Sequence, residues 1–341
     1  MNTLYAGIDL HSNNNVLVII DSSNVVVYEK RLRNDLEAVL AAFTPYGREV
    51  VGVVVESTFN WYWLVDGLQA AGYNVHLANT GAIQQYSGLK YGDDGSDARW
   101  LAHLLQLNIL PEAYIYPSDL RPVRDLLRKR MFLVRQRTAN ILSIQNLVTR
   151  NTSRTLSANS VEHLTPEFTA ELGLPGDVAL ALQASLAMVN CAREQIKALE
   201  RIARARVRLT DAFKNLTTVD GIGDILGMTI MLETGNIERF RSVGNYVSYA
   251  RCVSGERVSN GKKKAKVNTK NGNAYLSWAF SEAAQHCVRF NDQAARYYQR
   301  KLAQNHVMVA RRALAHKLAR VCYYLLRDGV AFDSAKAFGG K

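Results

Sequence analysis

Apolar residues in the first hundred positions show two kinds of spacing, one typical of strands and the other of amphipathic helices. The two kinds alternate along the chain and predict strands separated by helices. Five short apolar or β-branched runs predict strands: LYAGIDL (4–10), NVLVIID, VVVYEKR, REVVGVVVES and YNVHLAN. Between them, NDLEAVLAAF and NWYWLVDGLQAAG have the spacing of amphipathic helices, and DARWLAHLLQL (97–107) predicts a third helix after the last strand. The predicted order is therefore βββαβαβα.

This order fits the ribonuclease H-like (RuvC-like) layered α/β fold. Asp9 ends the first strand, Glu56 ends the central strand, and Asp94 and Asp97 bracket the start of the third helix. Strand ends converge in such a sheet, so these carboxylates would repel one another unless a cation neutralised them. Oxygen ligands suit Mg²⁺. Taken singly, Asp97 also fits a helix N-cap, Asp93 and Asp94 fit turn residues, and Glu56 fits a solvated strand end.

Residues next to these acids have open roles. His11 follows the first strand, and Thr58, Asn60 and Trp61 follow Glu56. The sequence allows His11 near a metal, although an ordinary polar residue at a strand end is the more common case. A helix cap and core packing are the alternatives for the other three.

From about residue 118 the pattern changes to long helices. Apolar residues at near-heptad spacing predict one helix through about 120–148 and another through about 176–208, joined by a polar stretch, 151–176. The pattern fits an antiparallel arm able to dimerise and an intramolecular helical pair equally well. Five basic residues near the start of the first helix are candidates for nucleic-acid contact: Arg121, Arg124, Arg128, Lys129 and Arg130.

The last third of the chain is predicted to be mostly helical. LTTVDGIGDILGMTIMLETG (216–235) predicts two helices around Gly221 and Gly223, which fit either a phosphate-facing hairpin or a packing corner. A loop follows at 253–273, where Ser254 and Ser259 stand beside lysines. A solvated loop is one interpretation, and a phosphate-binding loop with a serine nucleophile is the other. The lysines that would contact phosphate are Lys262, Lys263, Lys264, Lys266 and Lys270.

The distribution of charge indicates a polyanionic partner. The net charge is +12, but residues 1–107 hold 6 Lys/Arg and 11 Asp/Glu, a net −5, and the remainder carries +17. The absence of dinucleotide and Walker motifs argues against a small-molecule enzyme. Four scattered cysteines indicate reduced, mostly buried thiols, and no run is long enough to span a bilayer, so we expect a cytoplasmic protein without membrane contact.

Five segments carry a resemblance to a known family. GIDLH, VVVES…NWYWLVDGL and DDGSDARWLA resemble the Asp-Glu-Asp-Asp signature of the bridge-RNA-guided transposases of insertion sequences of the 110 type, particularly the 1111 group. Residues 216–250 and SNGKKKAKVNTKNGNAYL resemble that family's C-terminal domain and serine loop. In 110–210 only helicity and position correspond. The family's Lys-Thr before the third acid is missing, so Asp93 rivals Asp94, and Ser254 rivals Ser259.

The resemblance implies three domains: a RuvC-like domain at 1–109, a helical coiled-coil arm at 110–210, and a mostly α-helical transposase domain at 211–341. It implies that Ser259 cuts DNA through a phosphoserine link and that Asp9, Glu56, Asp94 and Asp97 hold Mg²⁺. The implied partners are a non-coding guide RNA, donor and target duplex DNA, and further copies in a tetramer built as a dimer of dimers. The implied location is the nucleoid of a prokaryotic cytoplasm.

Two other functions remain open from the sequence. A junction-resolving nuclease would use the same acids and Mg²⁺ with water as the nucleophile. A non-catalytic nucleic-acid-binding scaffold would keep the acids as structural residues.

Overall fold

Five strands form one mixed sheet, ordered β3-β2-β1-β4-β5. They are β1 (Leu4–Leu10), β2 (Asn14–Ile20), β3 (Val26–Arg33), β4 (Val50–Glu56) and β5 (Val75–Ala78). The first three run antiparallel, and β4 and β5 run parallel to β1. The predicted mixed α/β sheet is confirmed. The computed structural model describes residues 3–83, 93–207, 210–253, 257–260, 262–264 and 271–339.

The chain divides into two units, Met1–Ser118 and Asp119–Lys341. The first holds the sheet, and the second holds the long helices and the C-terminal region. The boundary between them lies nine residues after the predicted one at 109/110. The predicted subdivision of the second unit at residue 210 stays a prediction.

Helices cover both faces of the sheet because its strands alternate their side chains. Leu17 and Ile19 of β2 pack in a core with α1 (Leu36–Phe43) and α2 (Tyr62–Ala70). Val16, Val18 and Ile20 of the same strand pack on the opposite face, against α3 (Asp94–Gln106). The two-residue period of a strand thus supplies both cores.

Helix α3 approaches the sheet most closely at Gly7. A β-carbon built on Gly7 would lie 1.9 Å from the carbonyl oxygen of Ala98 and 2.8 Å from the nitrogen of Ala102. Only glycine allows this backbone contact. Gly7 therefore sets how near the acids of α3 come to the end of β1.

Two 32-residue helices, α4 (Arg121–Thr152) and α7 (Gly176–Val207), pack along each other. Val123 at the start of α4 shares a core with Val207 at the end of α7, and Val148 shares another with Leu182. The helices therefore run antiparallel within one chain. The predicted bounds are confirmed, and an additional pair of short helices, α5 (Ala158–Glu162) and α6 (Pro166–Glu171), lies in the connecting stretch.

The C-terminal helices surround one core. They are α8 (Asp211–Thr217), α9 (Asp224–Thr234), α10 (Val243–Tyr249), α11 (Ala274–Phe290), α12 (Asp292–Leu302), α13 (Val307–Asp328) and α14 (Ser334–Phe338). Cys252, Cys287 and Cys322 are buried in this core, and Cys191 on α7 is exposed. The serine loop contains an unpredicted hairpin, β6 (Arg257–Ser259) with β7 (Lys262–Lys264). None of the helices among the described residues is both long and apolar enough to cross a bilayer.

The glycine contact predicts a specific destabilisation. Replacing Gly7 with alanine would force α3 away from β1, so the free energy of unfolding should fall by about 1–3 kcal/mol. Urea unfolding of the variant measures the loss. Gly81→Ala is the matched control, because the nearest atom to its built β-carbon is 3.6 Å away. Equal stability of the two variants would contradict the proposed contact.

Candidate active site

Strand alternation places two acids on the face that carries α3. Asp9 lies on the same face of β1 as Gly7. Glu56 lies on the same face of β4 as Val54, and Val54 packs against α3. Since β1 and β4 are parallel neighbours, their carboxyl ends meet at one edge of the sheet. Asp9 is buried, at 5% exposure, and Glu56 is half-buried.

The two carboxyls interact directly. Burial, a hydrogen bond with Asp9 and the negative charges of Asp9 and Asp97 raise the pKa of Glu56 to about 7. A carboxyl group holds its proton this tightly when its ionised form lacks a counter-ion. The Glu56 carboxyl therefore keeps its proton up to near neutral pH in the metal-free protein.

The first turn of α3 contributes the remaining acids. Burial and then the charges of Asp9, Asp94 and Asp93 raise the pKa of Asp97. Asp93 Oδ1 accepts from the backbone N–H of Ser96 at 2.7 Å, while Ser96 Oγ accepts from the N–H of Asp93 at 3.0 Å. This capping box makes Asp93 the N-cap of α3 and explains why the helix begins at Asp94, three residues before the predicted start.

The carboxylate of Asp94 is paired with the guanidinium of Arg31 on β3. Arg31 donates to Asp94 Oδ2, and its other nitrogen donates to Asn14 Oδ1 at 2.7 Å. This hydrogen bond is the main cause of the lowered pKa of Asp94. Arg31 could not be found from the sequence, because its relevance appears only from the register: Asp9 pairs with Val16, and Val16 pairs with Arg31.

His11 lies between two of the acids. Its Nε2 is 3.1 Å from Asp9 Oδ2 and 3.3 Å from Asp94 Oδ2. Its carbonyl oxygen accepts from Asn60 Nδ2 at 2.9 Å, and Thr58 Oγ1 donates to Asn60 Oδ1 at 2.9 Å. Asn60 and Thr58 thus fasten the chain after β4 to the end of β1, and Trp61 is buried in the core beside them.

A cleft of about 410 Å³ opens over the acids. Three predicted site residues, Asp9, Glu56 and Asp97, lie in its wall, while Asp94 is turned to Arg31 and His11. The described residues that line the cleft are Asp9, Glu56, Thr80, Ile83, Asp97, Trp100 and Leu101.

The donor set fits a divalent cation. One ligand atom from each of Asp9, His11 and Asp94 lies within 4.8 Å of the others. Glu56 and Asp97 carry raised pKa values, which a bound cation would lower by favouring their ionised forms. Carboxylate oxygens suit Mg²⁺, whereas an imidazole nitrogen is more typical of transition metals. The cluster therefore supports divalent-metal binding without selecting the ion.

The predicted serine site lies in the second unit. Ser259 is the last residue of β6 and pairs with Lys262 of β7, and Asn260 between them has a left-handed φ of 50°. Lys262 is exposed. For Ser259, Lys263 and Lys264 the backbone alone is described. Three other predicted residues lie outside the described residues: Ser254, Lys266 and Lys270.

The serine loop is closed at its base by Asn273. Its backbone N–H donates to the carbonyl of Tyr249 at 2.6 Å, and its side-chain oxygen accepts from Tyr275 and Leu276, which caps α11. Gly272 has a φ of 87°, and a β-carbon there would lie 2.5 Å from the Tyr249 oxygen. The Gly-Asn pair thus fixes where the loop ends.

An ion pair between α4 and α9 supports Asn273 at the end of the serine loop. Arg128 forms two hydrogen bonds with Glu233, at 2.7 and 2.8 Å, and Asn273 Nδ2 donates to Glu233 at 2.7 Å. Glu233 is 4% exposed. The interactions connect α4, α9 and the start of α11.

The other predicted nucleic-acid residues differ in environment. Arg121 and Arg124 are buried, and Arg130 binds Glu200 at 2.8 Å, whereas Lys129 is exposed. Arg128 and Arg130 are half-buried, and both pair with carboxylates. Contact of the five basic residues with nucleic acid stays a prediction.

The two glycines of the hairpin before α9 also differ. A β-carbon on Gly221 would lie 2.4 Å from the backbone nitrogen of Cys287, so this glycine allows packing on α11. Gly223 caps α9, with nothing within 4 Å of its built β-carbon. The structure thus supports a packing corner at Gly221, while phosphate contact at Gly223 stays a prediction.

The raised pKa of Glu56 predicts a pH-dependent stability. The pKa of Glu56 rises from its ordinary value of 4.5 to about 7 in the folded protein. Between these two pH values the unfolded chain has lost the proton that the folded protein keeps, so the free energy of unfolding falls as pH rises and stays lowered above pH 7. Glu56→Gln should therefore stabilise the metal-free protein at pH 8 and change it little at pH 4. Urea unfolding with a chelator measures both. Exposed Glu37→Gln is the control, and equal effects of Glu56→Gln at the two pH values would contradict the shift.

The Arg128–Glu233 pair predicts a large loss on truncation. Glu233→Ala leaves the Arg128 and Asn273 donors without their acceptor, so the free energy of unfolding should fall by about 2–4 kcal/mol. Asp211→Ala, which removes the partner of exposed Lys214, is the control and should have little effect. Comparable losses in urea unfolding would show that the buried pair has no special weight.

Comparisons with known proteins agree with this geometry. A family model described as Transposase, for the DEDD domain of IS110 elements, matches residues 6–151, and one described as Transposase IS116/IS110/IS902 family matches residues 213–299. The two matches do not overlap and together cover more than half of the chain. No curated protein matches it. The chain carries both domains of the IS110-family transposases and therefore belongs to that family, as an enzyme that transposes or recombines DNA.

Proposed function

We propose that this transposase exchanges DNA strands through a covalent phosphoserine intermediate, with Ser259 as the nucleophile and Mg²⁺ at the acid cluster. The observation that carries the proposal is the meeting of Asp9, Glu56 and Asp97 at one cleft, in a chain with two transposase domains. Burial and the neighbouring acids Asp9 and Asp97 disfavour ionisation of Glu56, and a bound cation would favour it.

The metal would be held by residues of the first unit. Asp9, Glu56 and Asp97 face the cleft. Asp94 is the fourth candidate ligand, and there the metal would compete with Arg31 for the carboxylate. When bound, a divalent cation supplies positive charge where an attacked phosphate gathers negative charge. Arg31 and His11 hold the carboxylates in position around the cleft.

Ser259 would start the exchange. Its Oγ attacks the phosphorus, a new P–O bond forms as the bond to the 3′-oxygen breaks, and the proton lost by serine is balanced by one gained at that oxygen. The 3′-hydroxyl of the partner duplex then attacks the phosphoserine and releases the serine. Exposed Lys262, paired with Ser259 across the hairpin, supports this assignment because a nearby ammonium stabilises phosphate charge.

A guide RNA would select the DNA sites. The net +17 of the chain after residue 107 provides backbone contacts, and the sequence contains no helix-turn-helix reader, zinc finger or RNA-recognition signature. Base pairing can supply the sequence specificity that such a protein lacks. Association with the nucleoid would follow from the DNA substrate.

The proposed assembly is a tetramer, a dimer of dimers, in which the acids and the serine of one centre come from different protomers. The supporting observation is the distribution of the chemistry: the acids belong to the first unit and Ser259 to the second. The exposed apolar residues of the long helices, such as Phe132 and Met188, leave surface for contact between copies.

The alternative function is hydrolysis by water at the same cleft. The observation that favours it is that Asp9, Glu56 and Asp97 line their cleft within the first unit. Both functions use the acids, so variants of the acids do not separate them. The nucleophile does.

A trapping experiment distinguishes the two functions. Protein, Mg²⁺, the element's non-coding RNA and labelled donor and target DNA are incubated, denatured and examined for DNA attached to protein. The wild type and Ser254→Ala should form the adduct, and Ser259→Ala should lose it to background, because alanine has no nucleophilic oxygen. Cleavage without an adduct in any sample would establish hydrolysis, and loss only in Ser254→Ala would move the nucleophile.

A further inference from the structure

Helices α12 and α13 contain acids only at their outer ends, Asp292 and Asp328. Residues 293–327 contain eight Lys/Arg and no Asp or Glu. The two helices pack against each other in the second unit. Elsewhere in this unit, basic residues such as Arg128, Arg130 and Arg204 are paired with carboxylates.

Cations from both helices converge on one aromatic ring. Lys301 of α12 and Lys317 of α13 lie over the ring of Tyr297, with their Nζ atoms 5.8 and 6.0 Å from its centroid. No carboxylate among the described residues pairs with either lysine. A cation–π contact holds each ammonium in place without neutralising it, so positive charges of two helices remain close together.

The surrounding residues extend the positive surface. Arg296, Arg300 and Lys301 on α12 and Arg312 on α13 are exposed. Arg312 Nη1 lies 3.4 Å from Ser277 Oγ, which brings α11 to the same surface. Burial and the charges of Arg320 and Lys317 lower the pKa of His316, as expected where positive groups gather without counter-ions.

We propose that this surface, defined by Lys301, Lys317, Arg296, Arg300, Arg312 and Arg320, binds the phosphate backbone of the enzyme's duplex DNA. Charge complementarity carries the inference, because unpaired positive charges on a folded surface gain most from a polyanion. Helix α13, with 22 residues, is about 33 Å long, close to one turn of duplex DNA at about 34 Å. The inference rests on the DNA substrate of the family and not on the serine mechanism.

Backbone contacts predict binding that ignores sequence and weakens with salt. Each lost phosphate contact should reduce the slope of log K against log salt by about 0.9. The test variant is Lys301→Gln/Lys317→Gln/Arg320→Gln. Its matched control is Lys30→Gln/Arg154→Gln/Lys214→Gln, which lowers the net charge equally at exposed positions outside this surface.

The measurement is fluorescence anisotropy of the full-length protein with a labelled 30-base-pair duplex, in about 50–200 mM KCl. The test variant should bind about 10- to 100-fold more weakly, with a slope reduced by about 2–3. The slope of the control should differ from the wild-type slope by less than the contribution of one phosphate contact. Thermal unfolding of both variants verifies that they fold.

Two outcomes would overturn the proposal. The first is a test variant that binds the duplex with wild-type affinity and slope. The second is a variant that loses binding to the element's structured RNA while keeping duplex binding, which would assign the surface to RNA. Failure of the serine mechanism is separate, since a wild-type protein could bind the duplex through this surface and form no covalent adduct.

Discussion

The repulsion among carboxylates at the ends of β1 and β4 is the constraint on which the first unit depends. Two parallel strands bring Asp9 and Glu56 together, and the backbone contact of α3 at Gly7 brings Asp97 to the same cleft. Each acid is there at a cost in folding stability, since the ionised forms are crowded and partly desolvated. Arg31 offsets part of this charge at Asp94, and His11 lies between Asp9 and Asp94. The sheet thus gathers acids at a cleft whose donor set fits a divalent cation.

In the second unit, hydrogen bonds hold the residues at which the serine loop ends. The N–H of Asn273 donates to the carbonyl of Tyr249, and Gly272 allows the close approach to that oxygen. Asn273 is fixed from below by Glu233, and Glu233 is fixed by Arg128 of the long helix α4. A change in α4 therefore reaches the base of the loop through hydrogen bonds and a salt bridge. Buried polar networks of this kind favour one arrangement over near alternatives, because any shift leaves a donor unsatisfied.

Much of the fold could be predicted from the sequence, because apolar periods report directly on strands and helices. The two long helices were predicted within a few residues, and the positions of Asp9 and Glu56 at strand ends followed from the pattern. Arg31 could not be found in this way, because its contact with Asp94 spans two neighbouring strands and depends on register. The burial of Arg121 and Arg124 and the pairing of Arg128 with Glu233 could not be predicted for a related reason. A heptad stripe locates apolar contacts, but it does not reveal which charged side chains are buried beside them.

The positions of the four cysteines give the protein an internal selectivity toward thiol reagents. Burial raises the pKa of Cys252 and Cys287 to about 12 and that of Cys322 further, so these thiols are neither ionised nor accessible at neutral pH. Cys191 alone among the four is exposed, near the middle of α7. A maleimide dye or spin label would therefore attach at one defined point of the long helical pair, without any engineered substitution. A label at Cys191 would report directly whether two copies of the chain come together on DNA.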